Sequence, residues 1–449
     1  ADNELWQTLL KACERNRMLV AVQLGGGAYL TKDSNIDKQV AIAVPFIRKY
    51  KDHPQVLSFL IKEEPSALFL PRIKEYYTKI LAQIPDAPLH LIHSSLKVAA
   101  DQEPPYPAST GTDRYPFWFE WGTSNNRATP SYALNWFHSQ ADGFYQYAKT
   151  RQQIYEVVIT DWVMERQREK ECFRQTIYPA SISDQERNAT MARFEALAAA
   201  GNQGLRVAEN DELAYWKYYR PPTNCTMAMG WLSVMEGAHA VSNYTWSTPN
   251  EITSGRKKGM RSLSTLGPHG YGVASTEEFA RFLDSVRPFG RLIRAMEKET
   301  TPIVGEALGH EPITVAAPED PLLSIGEEKD LVWRSFTIPG YKGRVVIVVN
   351  TAVGQWSGHS PFRLKESDLF RIDAEGNLID YVPYYIPRTV GITLRKAGAS
   401  CYDLQLRRPV EVSEDGKLAL NIRPGYGKVL FISSPGHDEV ERLQREFNL

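Results

Sequence analysis

The sequence lacks any apolar run long enough to cross a bilayer, so no membrane association is expected. It also lacks an excess of either charge, since 52 basic and 53 acidic residues give a formal net charge of −1. Binding to a phosphate backbone requires a basic field, and this balance argues against nucleic acid as a partner. Internal repeats and low-complexity tracts are absent as well.

Cysteine is scarce, and its spacing is not that of a metal site. The four cysteines are Cys13, Cys172, Cys225 and Cys401. They are compatible with two distant disulfides or with four buried thiols. No cluster of His, Asp and Cys has ligand spacing, so neither a metal ion nor another cofactor is expected. The chain opens with ADNELWQ, without Met or a signal peptide, which predicts a processed or trimmed N-terminus.

Aromatic residues, by contrast, are abundant. The chain has 22 Tyr, 17 Phe and 10 Trp, and many lie in segments that read as loops, such as RYPFWFEWG and AYWKYYRPP. Most aromatic side chains in a protein simply pack in its core, but rings exposed in loops are suited to stacking on sugar faces.

Residues 1–299 alternate between helical and strand-like patterns, which predicts parallel β/α units. The strands are continuous apolar runs, as expected for strands covered on both faces. The predicted strands are Met18–Leu24, Val56–Ile61, Leu89–His93, the short segment TGTDRYP, Tyr155–Thr160 and His239–Tyr244. The predicted helices are Asn3–Arg15, Asp37–Tyr50, Pro71–Ile84, Ser131–Lys149, Thr223–Gly237 and Thr276–Lys298.

Two further segments depart from this alternation. The stretch from RQREKECF to VAEND is too long for an ordinary connection, which favours a lid or a binding loop. From Thr301 onward the pattern changes to short strands separated by Gly, Asp and Pro turns, which predicts an antiparallel β-sandwich. We therefore expect a barrel domain over residues 1–299 and an all-β C-terminal domain over residues 300–449.

The stretch HPQVLSFLIKEEPS places two adjacent carboxylates, Glu63 and Glu64, where an apolar strand ends before Pro65. Asp113 follows the TGT strand, and Asp161 directly follows YEVVIT. In a β/α barrel the carboxyl ends of the strands form the active-site rim. Carboxyl groups that converge on one rim are what glycoside hydrolysis requires.

The segment KDHPQVLSFLIKEEP resembles the fourth-strand segment of glycoside hydrolase (β/α)8 barrels, where a His-Pro strand ends in Asn-Glu-Pro or Asp-Glu-Pro. RPPTNCTMAMGWLSVMEGAHAVSNYTW resembles the seventh helix and eighth strand of those barrels. YDLQLRRPVEVSEDGKLALNIRPGYGKVLFI is similar to their C-terminal β-domain. The resemblance implies a TIM-type (β/α)8 barrel with a C-terminal sandwich, a carbohydrate substrate, and a secreted or periplasmic location.

The resemblance also implies roles for particular residues. Glu64 matches the general acid/base of the family, and Glu63 stands beside it where many members have Asn or Asp. The nucleophile or base would be Asp161 or Asp113; if LRVAEND were strand seven, Glu209 would take this role. The expected substrate-binding residues are Glu63, His93, Tyr115, Trp118, Trp162, Tyr244 and Trp246.

Two departures from the family pattern define an alternative. KEEP replaces Asn-Glu-Pro, and only six barrel strands are recognisable, so the first strands are missing or irregular. A missing N-terminal portion, a partner segment, a homo-oligomer or an unusual closure would each explain this. The alternative is a catalytically silent barrel that serves as an extracellular carbohydrate-binding or structural protein. In either case Glu236 is expected to pack or to pair rather than to act in catalysis.

Overall fold

A computed structural model provides the structure of the chain. It describes residues 4–16, 18–24, 34–113, 118–120, 130–160, 163–167, 206–207, 213–219, 224–244, 274–298, 303–304, 314–315, 320–325, 331–351, 353, 370–372, 378–381, 388–436 and 439–449.

The first part of the chain forms a curled sheet of six parallel strands. They are β1 (Val20–Gln23), β2 (Val56–Glu63), β3 (Leu89–His93), β4 (Ser109–Thr112), β6 (Ile154–Thr160) and β10 (Ala240–Tyr244), and they lie side by side in that order. β5 (Trp118–Glu120) is not part of this sheet and belongs to a smaller one. Among the described residues the sheet is half a barrel and does not close. The six strands are those that the sequence predicts, with ends that differ by a few residues.

Helices cover the outer face of this sheet. They are α1 (Glu4–Arg15), α2 (Ile36–Tyr50), α3 (Leu70–Leu81), α4 (Leu96–Ala100), α5 (Pro130–Thr150), α6 (Cys225–Met235), α7 (Ala274–Val286) and α8 (Gly290–Ala295). The predicted helix Thr276–Lys298 is interrupted by a 3-10 turn at Arg287–Phe289. Pro288 within this turn has no N–H for a continuing helix.

Two hydrophobic cores lie under the helices. Phe59 and Ile61 of β2 and Leu89 and Leu91 of β3 pack with α2 and α3. A second core surrounds the long helices α5 and α6, and Trp231 of α6 is completely buried in it. Because side chains alternate along a strand, the residues between these apolar ones face the concave side of the sheet. That face is where the candidate site lies.

A small four-stranded sheet forms separately from the half barrel. It contains β5, β7 (Val163–Gln167), β9 (Leu213–Tyr219) and β8 (Arg206–Val207), in that order. β8 comes from LRVAEND and pairs antiparallel with β9. The alternative in which LRVAEND is a barrel strand is therefore wrong. Glu209 and most of the long segment from RQREKECF onward lie outside the described residues.

The second part of the chain, which we call the β-domain, consists of antiparallel strands. These are β11 (Glu297–Lys298), β12 (Ile303–Val304), β13 (Thr314–Val315), β14 (Leu323–Ile325), β15 (Leu331–Thr337), β16 (Arg344–Asn350), β17 (Phe370–Ile372), β18 (Leu378–Tyr381), β19 (Arg388–Leu394), β20 (Ser400–Asp403), β21 (Arg408–Val410), β22 (Lys417–Ile422) and β23 (Gly427–Ser433). The sheet β11-β15-β16-β23-β20-β21 packs on the sheet β14-β19-β22 through a shared apolar core. Helix α9 (Val440–Phe447) follows.

The half barrel and the β-domain share one continuous core. Trp231 of α6 packs in the same cluster as Phe336 of β15 and Phe431 of β23. Gly427 at the start of β23 lies against the Trp231 indole, because a Cβ added at this glycine would be 2.4 Å from Trp231 Cδ2. The β-domain is therefore docked on the helical side of the barrel, away from the concave face.

The remaining features of the fold concern the cysteines and the helices. Cys13, Cys225 and Cys401 are buried, and Cys172 lies outside the described residues. Among the helices that the structure describes, none has the length and apolar character needed to span a membrane.

Candidate active site

The end of β2 carries two of the predicted acids. The pairing of β2 with β3 shifts register between Leu60 and Lys62, so that one extra residue is inserted in β2 before Glu63 pairs with Ile92. Such a bulge redirects the side chains that follow it. It places Glu63 at the carboxyl end of the strand, half-buried, beside the exposed Glu64.

Glu64 has a backbone conformation that its residue type rarely adopts. Its φ is +48°, in the left-handed region, while its N–H donates to Ile92 O at 3.0 Å and the next residue, Pro65, is buried. A non-glycine residue in this region costs on the order of 1–3 kcal/mol, and such strain clusters at functional sites. The hydrogen bond and the buried proline hold Glu64 in place at the rim.

Asp113 lies at the end of β4, two strands from Glu64. Its N–H extends the β3–β4 ladder by donating to His93 O at 3.4 Å. Its side chain is only 3% exposed, and Oδ1 is buried without a hydrogen-bond partner. The Glu64 carboxyl is the charged neighbour that acts most strongly on the Asp113 carboxyl. The two groups therefore form a carboxyl pair that spans β3.

This environment favours the protonated form of Asp113. Burial, together with the neighbouring charges of Glu64 and then Glu63, raises the pKa of Asp113 to about 8. Burial and the charge of Glu64 also raise the pKa of Glu63, against a smaller opposing effect of Lys62. One acid of the cluster is thus held protonated at neutral pH beside carboxylates, the arrangement used by enzymes that need both an acid and a base.

A second polar group lies on the concave face one layer below Asp113. His90 Nε2 of β3 lies 2.8 Å from Glu156 Oε2 of β6. His90 Nδ1 is 2.8 Å from Ser109 Oγ, and Ser242 Oγ of β10 donates to Glu156 Oε1 at 2.6 Å. We call these four residues the floor network. Ser109 is buried and its hydroxyl also donates to Leu89 O at 3.3 Å, so it is not available as a nucleophile.

Sequence reasoning missed His90 and Glu156. A polar residue within each of two apolar runs, LHLIH and YEVVIT, is the only local signal. Contacts to His90 and Ser242 lower the pKa of Glu156 despite its burial, which itself acts to raise that pKa. Glu156 therefore presents a carboxylate on the floor of the concave face.

His93 does not join the site. Leu89 and Leu91 of the same strand face the helices, and His93 follows in the same alternation. Its ring is fully buried near Gln102 and Arg151, and burial lowers its pKa to about 3. The expectation that His93 contacts substrate is wrong, because its side chain is on the helical side of the sheet.

The other predicted residues are only partly covered by the structure. Tyr115, Asp161, Trp162 and Trp246 lie outside the described residues. Tyr244 is the last residue of β10 and therefore lies at the same end of the sheet as Asp113, and Trp118 is the first residue of β5. The structure thus brings together Glu63, Glu64 and Asp113 among the predicted site residues.

A different ionic cluster lies between the half barrel and the β-domain. Glu236, at the end of α6, contacts Lys298 and His138, and its Oε1 lies 3.2 Å from Arg334 Nε. Lys298 also pairs with Asp142 of α5. All five side chains are buried, and the neighbouring cations hold the pKa of Glu236 well below its ordinary value although burial acts to raise it. The cluster is structural, as expected for Glu236.

The described residues contain no group of three or more His, Cys, Asp or Glu side chains arranged to hold a metal ion. The chemistry that this site offers is that of its carboxyl groups. A protonated acid and adjacent carboxylates at the mouth of a parallel sheet can donate a proton to a leaving oxygen and accept one from water.

Comparison with known proteins gives matches to solved structures alone. No family model matches the chain, and no curated protein matches it. One similar structure is described as a glycoside hydrolase, with 11% identity over 91% of this chain and 71% of that chain and a TM-score of 0.41. An α-fucosidase from Thermotoga maritima, in complex with a mechanism-based inhibitor, has 7% identity over 95% of this chain and 67% of that chain, with a TM-score of 0.38. An Anoxybacillus α-amylase has 10% identity over 90% and 63%, with a TM-score of 0.35. The similar structures named here are glycoside hydrolases, and each likeness is distant.

Proposed function

We propose that this protein hydrolyses glycosidic bonds, with Asp113 as the proton donor. The observation that carries the proposal is the Asp113–Glu64 carboxyl pair at the carboxyl end of a parallel sheet. Asp113 is buried, and its raised pKa, about 8, keeps it protonated at neutral pH, whereas Glu64 is exposed. A neutral acid beside a charged partner is the usual division of roles in an enzyme that needs both a proton donor and a base.

The sequence resemblance implies that Glu64 is the proton donor, and the environment of each carboxyl supports our proposal of the reverse assignment. A general acid must hold a proton at the working pH and must be able to give it up during bond cleavage. Burial favours the neutral form, and Asp113 is the more buried of the two groups. We therefore assign the base or nucleophile role to Glu64, with Glu63 as the neighbour whose charge keeps the proton on Asp113.

In the proposed reaction the oxygen of the scissile bond replaces Glu64 as the partner of the Asp113 proton. Asp113 gives this proton to the leaving oxygen as the bond to the anomeric carbon breaks. In an inverting reaction Glu64 takes a proton from the water that attacks this carbon as the bond breaks. In a retaining reaction Glu64 attacks the carbon as the bond breaks, and the Asp113 carboxylate then takes a proton from the water that releases the sugar from Glu64. Tyr244, Trp118 and the predicted aromatic residues Tyr115, Trp162 and Trp246 are proposed to stack on sugar rings.

The test is a sugar-release assay across a panel of polysaccharides and aryl glycosides, with wild type, Asp113→Asn, Glu64→Gln and Asp86→Asn. Asp86 is an exposed acid paired with Lys51 and serves as the matched control. Both site variants are expected to lose at least about 100-fold in turnover, since general acid–base catalysis contributes about that much or more. The wild-type rate is expected to fall above about pH 8, as Asp113 loses its proton. Full activity in Asp113→Asn would remove the proposal.

The same panel distinguishes the alternative, a catalytically silent carbohydrate-binding protein. Binding of a saccharide by wild type and by Asp113→Asn, with release in neither, would support that alternative. Hydrolysis would be supported if wild type releases sugar and the site variants still bind the saccharide but no longer release sugar from it.

A further inference from the structure

The floor network occupies a defined position relative to Asp113. Gly111 of β4 pairs with Ile92 of β3 on one side and with Glu156 of β6 on the other. Asp113 follows Gly111 by two residues and so lies on the same face, roughly 6–7 Å further along the chain at the usual rise per residue. The row that contains Gly111 and Glu156 is therefore the layer directly under Asp113.

Gly111 allows His90 and Glu156 to meet across β4. A Cβ added at Gly111 would lie 3.1 Å from His90 Nε2 and 3.2 Å from Ile92 Cγ1. Any side chain at this position would press on the imidazole ring that reaches Glu156. The pair thus bridges β3 and β6 over the one strand between them, at the position where that strand has no side chain.

The hydrogen bonds of the network fix the positions of its side chains. The Ser109 hydroxyl donates to Leu89 O, so it accepts from His90 Nδ1. His90 Nε2 lies 2.8 Å from Glu156 Oε2, and Ser242 Oγ donates to Glu156 Oε1 at 2.6 Å. The pair thus acts on Asp113 through its position and through the volume that it fills.

We propose that Glu156 and His90 are positioning residues, whose bridge over Gly111 closes the floor beneath Asp113 and keeps water from its unpartnered Oδ1. This inference rests on the proposed function, in which Asp113 is the proton donor. Oδ1 of Asp113 is buried and has no partner, so water admitted from below would solvate the carboxylate and favour its ionisation. The bridge therefore maintains the acid in its proton-bearing form.

The experiment is a pH titration of the Asp113 carboxylic-acid band by infrared spectroscopy, with the band identified as the one absent in Asp113→Asn. Glu156→Ala opens the floor. The midpoint of the titration, which is the pH at which half of the Asp113 carboxyl is ionised, is then expected to fall by about one pH unit or more. Glu156→Gln retains the volume, and its amide can reach His90 Nε2 across Gly111, so its titration midpoint is expected to equal that of wild type. Glu414→Ala, at an exposed turn of the β-domain, is the control truncation and is expected to change nothing.

Two milder variants test the bridge if Glu156→Ala does not fold. Gly111→Ala displaces the His90 ring, and Ser242→Ala removes one hydrogen bond to Glu156; both are expected to lower the midpoint, the second by less. Thermal unfolding is measured in parallel, because a merely structural role would lower the melting temperature and leave the Asp113 midpoint unchanged.

The outcomes separate this inference from the proposed function. A wild-type midpoint near 8 that does not move in folded Glu156→Ala, Gly111→Ala or Ser242→Ala overturns the positioning role and leaves the donor assignment standing. A Glu156→Gln midpoint as low as that of Glu156→Ala also overturns it. Absence of any protonated Asp113 band in wild type at neutral pH overturns both.

Discussion

Lys298 and Glu236 form a buried ion pair that joins the first strand of the β-domain to helix α6 of the half barrel. Lys298 also pairs with Asp142, and its ammonium group lies 4.6 Å from the centre of the Tyr145 ring. The two acids of this cluster are thus neutralised by Lys298 and Arg334, both from segments that follow the barrel in the chain. Folding of α5 and α6 is thereby coupled to docking of the β-domain.

Replacement of Lys298 by Met should strongly destabilise the protein, because Glu236 and Asp142 would both lose the ammonium group that they share. Loss of one partner of a buried ion pair typically costs about 3–5 kcal/mol. The free energy of unfolding from denaturant titration measures this, with Lys51→Met as the control. Lys51 pairs with Asp52 and Asp86 at the surface, where ion pairs contribute little.

A second substitution tests whether charge balance is the cause. Asp142→Asn added to Lys298→Met leaves Glu236 opposite Arg334, so the double variant should be more stable than Lys298→Met alone. Residues in one ionic network are expected to show such coupling, of about 0.5–3 kcal/mol. Additive effects of the two substitutions would show that lost packing, rather than an unbalanced charge, causes the destabilisation.

The raised pKa of Asp113 predicts a specific dependence of stability on pH. The unfolded group has a pKa near its ordinary value of 3.8, whereas burial and Glu64 raise the folded value to about 8. A group whose pKa is raised by folding contributes stability that is complete below its unfolded pKa and is lost as pH rises through the folded pKa. Asp113 should therefore weaken the fold progressively between about pH 4 and pH 8.

Asp113→Asn should remove this loss, since the amide mimics the protonated acid and can donate to Glu64. At pH 7 the variant is expected to be more stable than wild type by about 4 kcal/mol, and at pH 4 the two should be similar. Denaturant unfolding at several pH values measures the difference. A constant difference between wild type and variant across this range would contradict the raised pKa.

The backbone at Glu64 predicts opposite effects of glycine at two adjacent positions. Glycine has no Cβ and adopts the left-handed region without strain, so Glu64→Gly should be more stable than Glu64→Ala by about 1 kcal/mol. Glu63 lies in β2, where glycine weakens a strand, so Glu63→Gly should be less stable than Glu63→Ala by about 0.5–1 kcal/mol. Melting temperatures of the four variants provide the comparison, and the same sign at both positions would contradict the strained conformation.

The local pattern of apolar and polar residues was sufficient to predict most of the strands and helices of the half barrel. Leu89–His93 is a strand with the predicted ends, and the helix predicted at Ser131–Lys149 extends over Pro130–Thr150. These elements bury a continuous apolar run or a helical apolar face, which the sequence shows directly. The position of Glu63 and Glu64 at a strand end was predictable for the same reason, since Pro65 limits the strand.

The sequence did not reveal which side chains meet across strands. The contact between His90 and Glu156 depends on β3 and β6 lying on either side of β4, and on the register that brings Gly111 between them. Both are properties of the assembled sheet. The direction of His93 depends on its alternation with Leu91, and a strand buried on both faces gives no polar pattern from which to read it.

Gly427 provides a test of how closely the β-domain is packed on the barrel. A Cβ at this position would lie 2.4 Å from Trp231 Cδ2 and 2.7 Å from Cε3, so Gly427→Ala must displace the buried indole. Overpacking of a well-filled core typically costs about 1–3 kcal/mol. Gly391 in β19 is the matched control, because a Cβ added there would meet nothing within 4 Å, and Gly391→Ala should be neutral or slightly stabilising. Unfolding free energies and Trp fluorescence of both variants measure the effect. A Gly427→Ala protein as stable as Gly391→Ala, with unchanged Trp fluorescence, would show that the two parts of the chain are not in direct contact through Trp231.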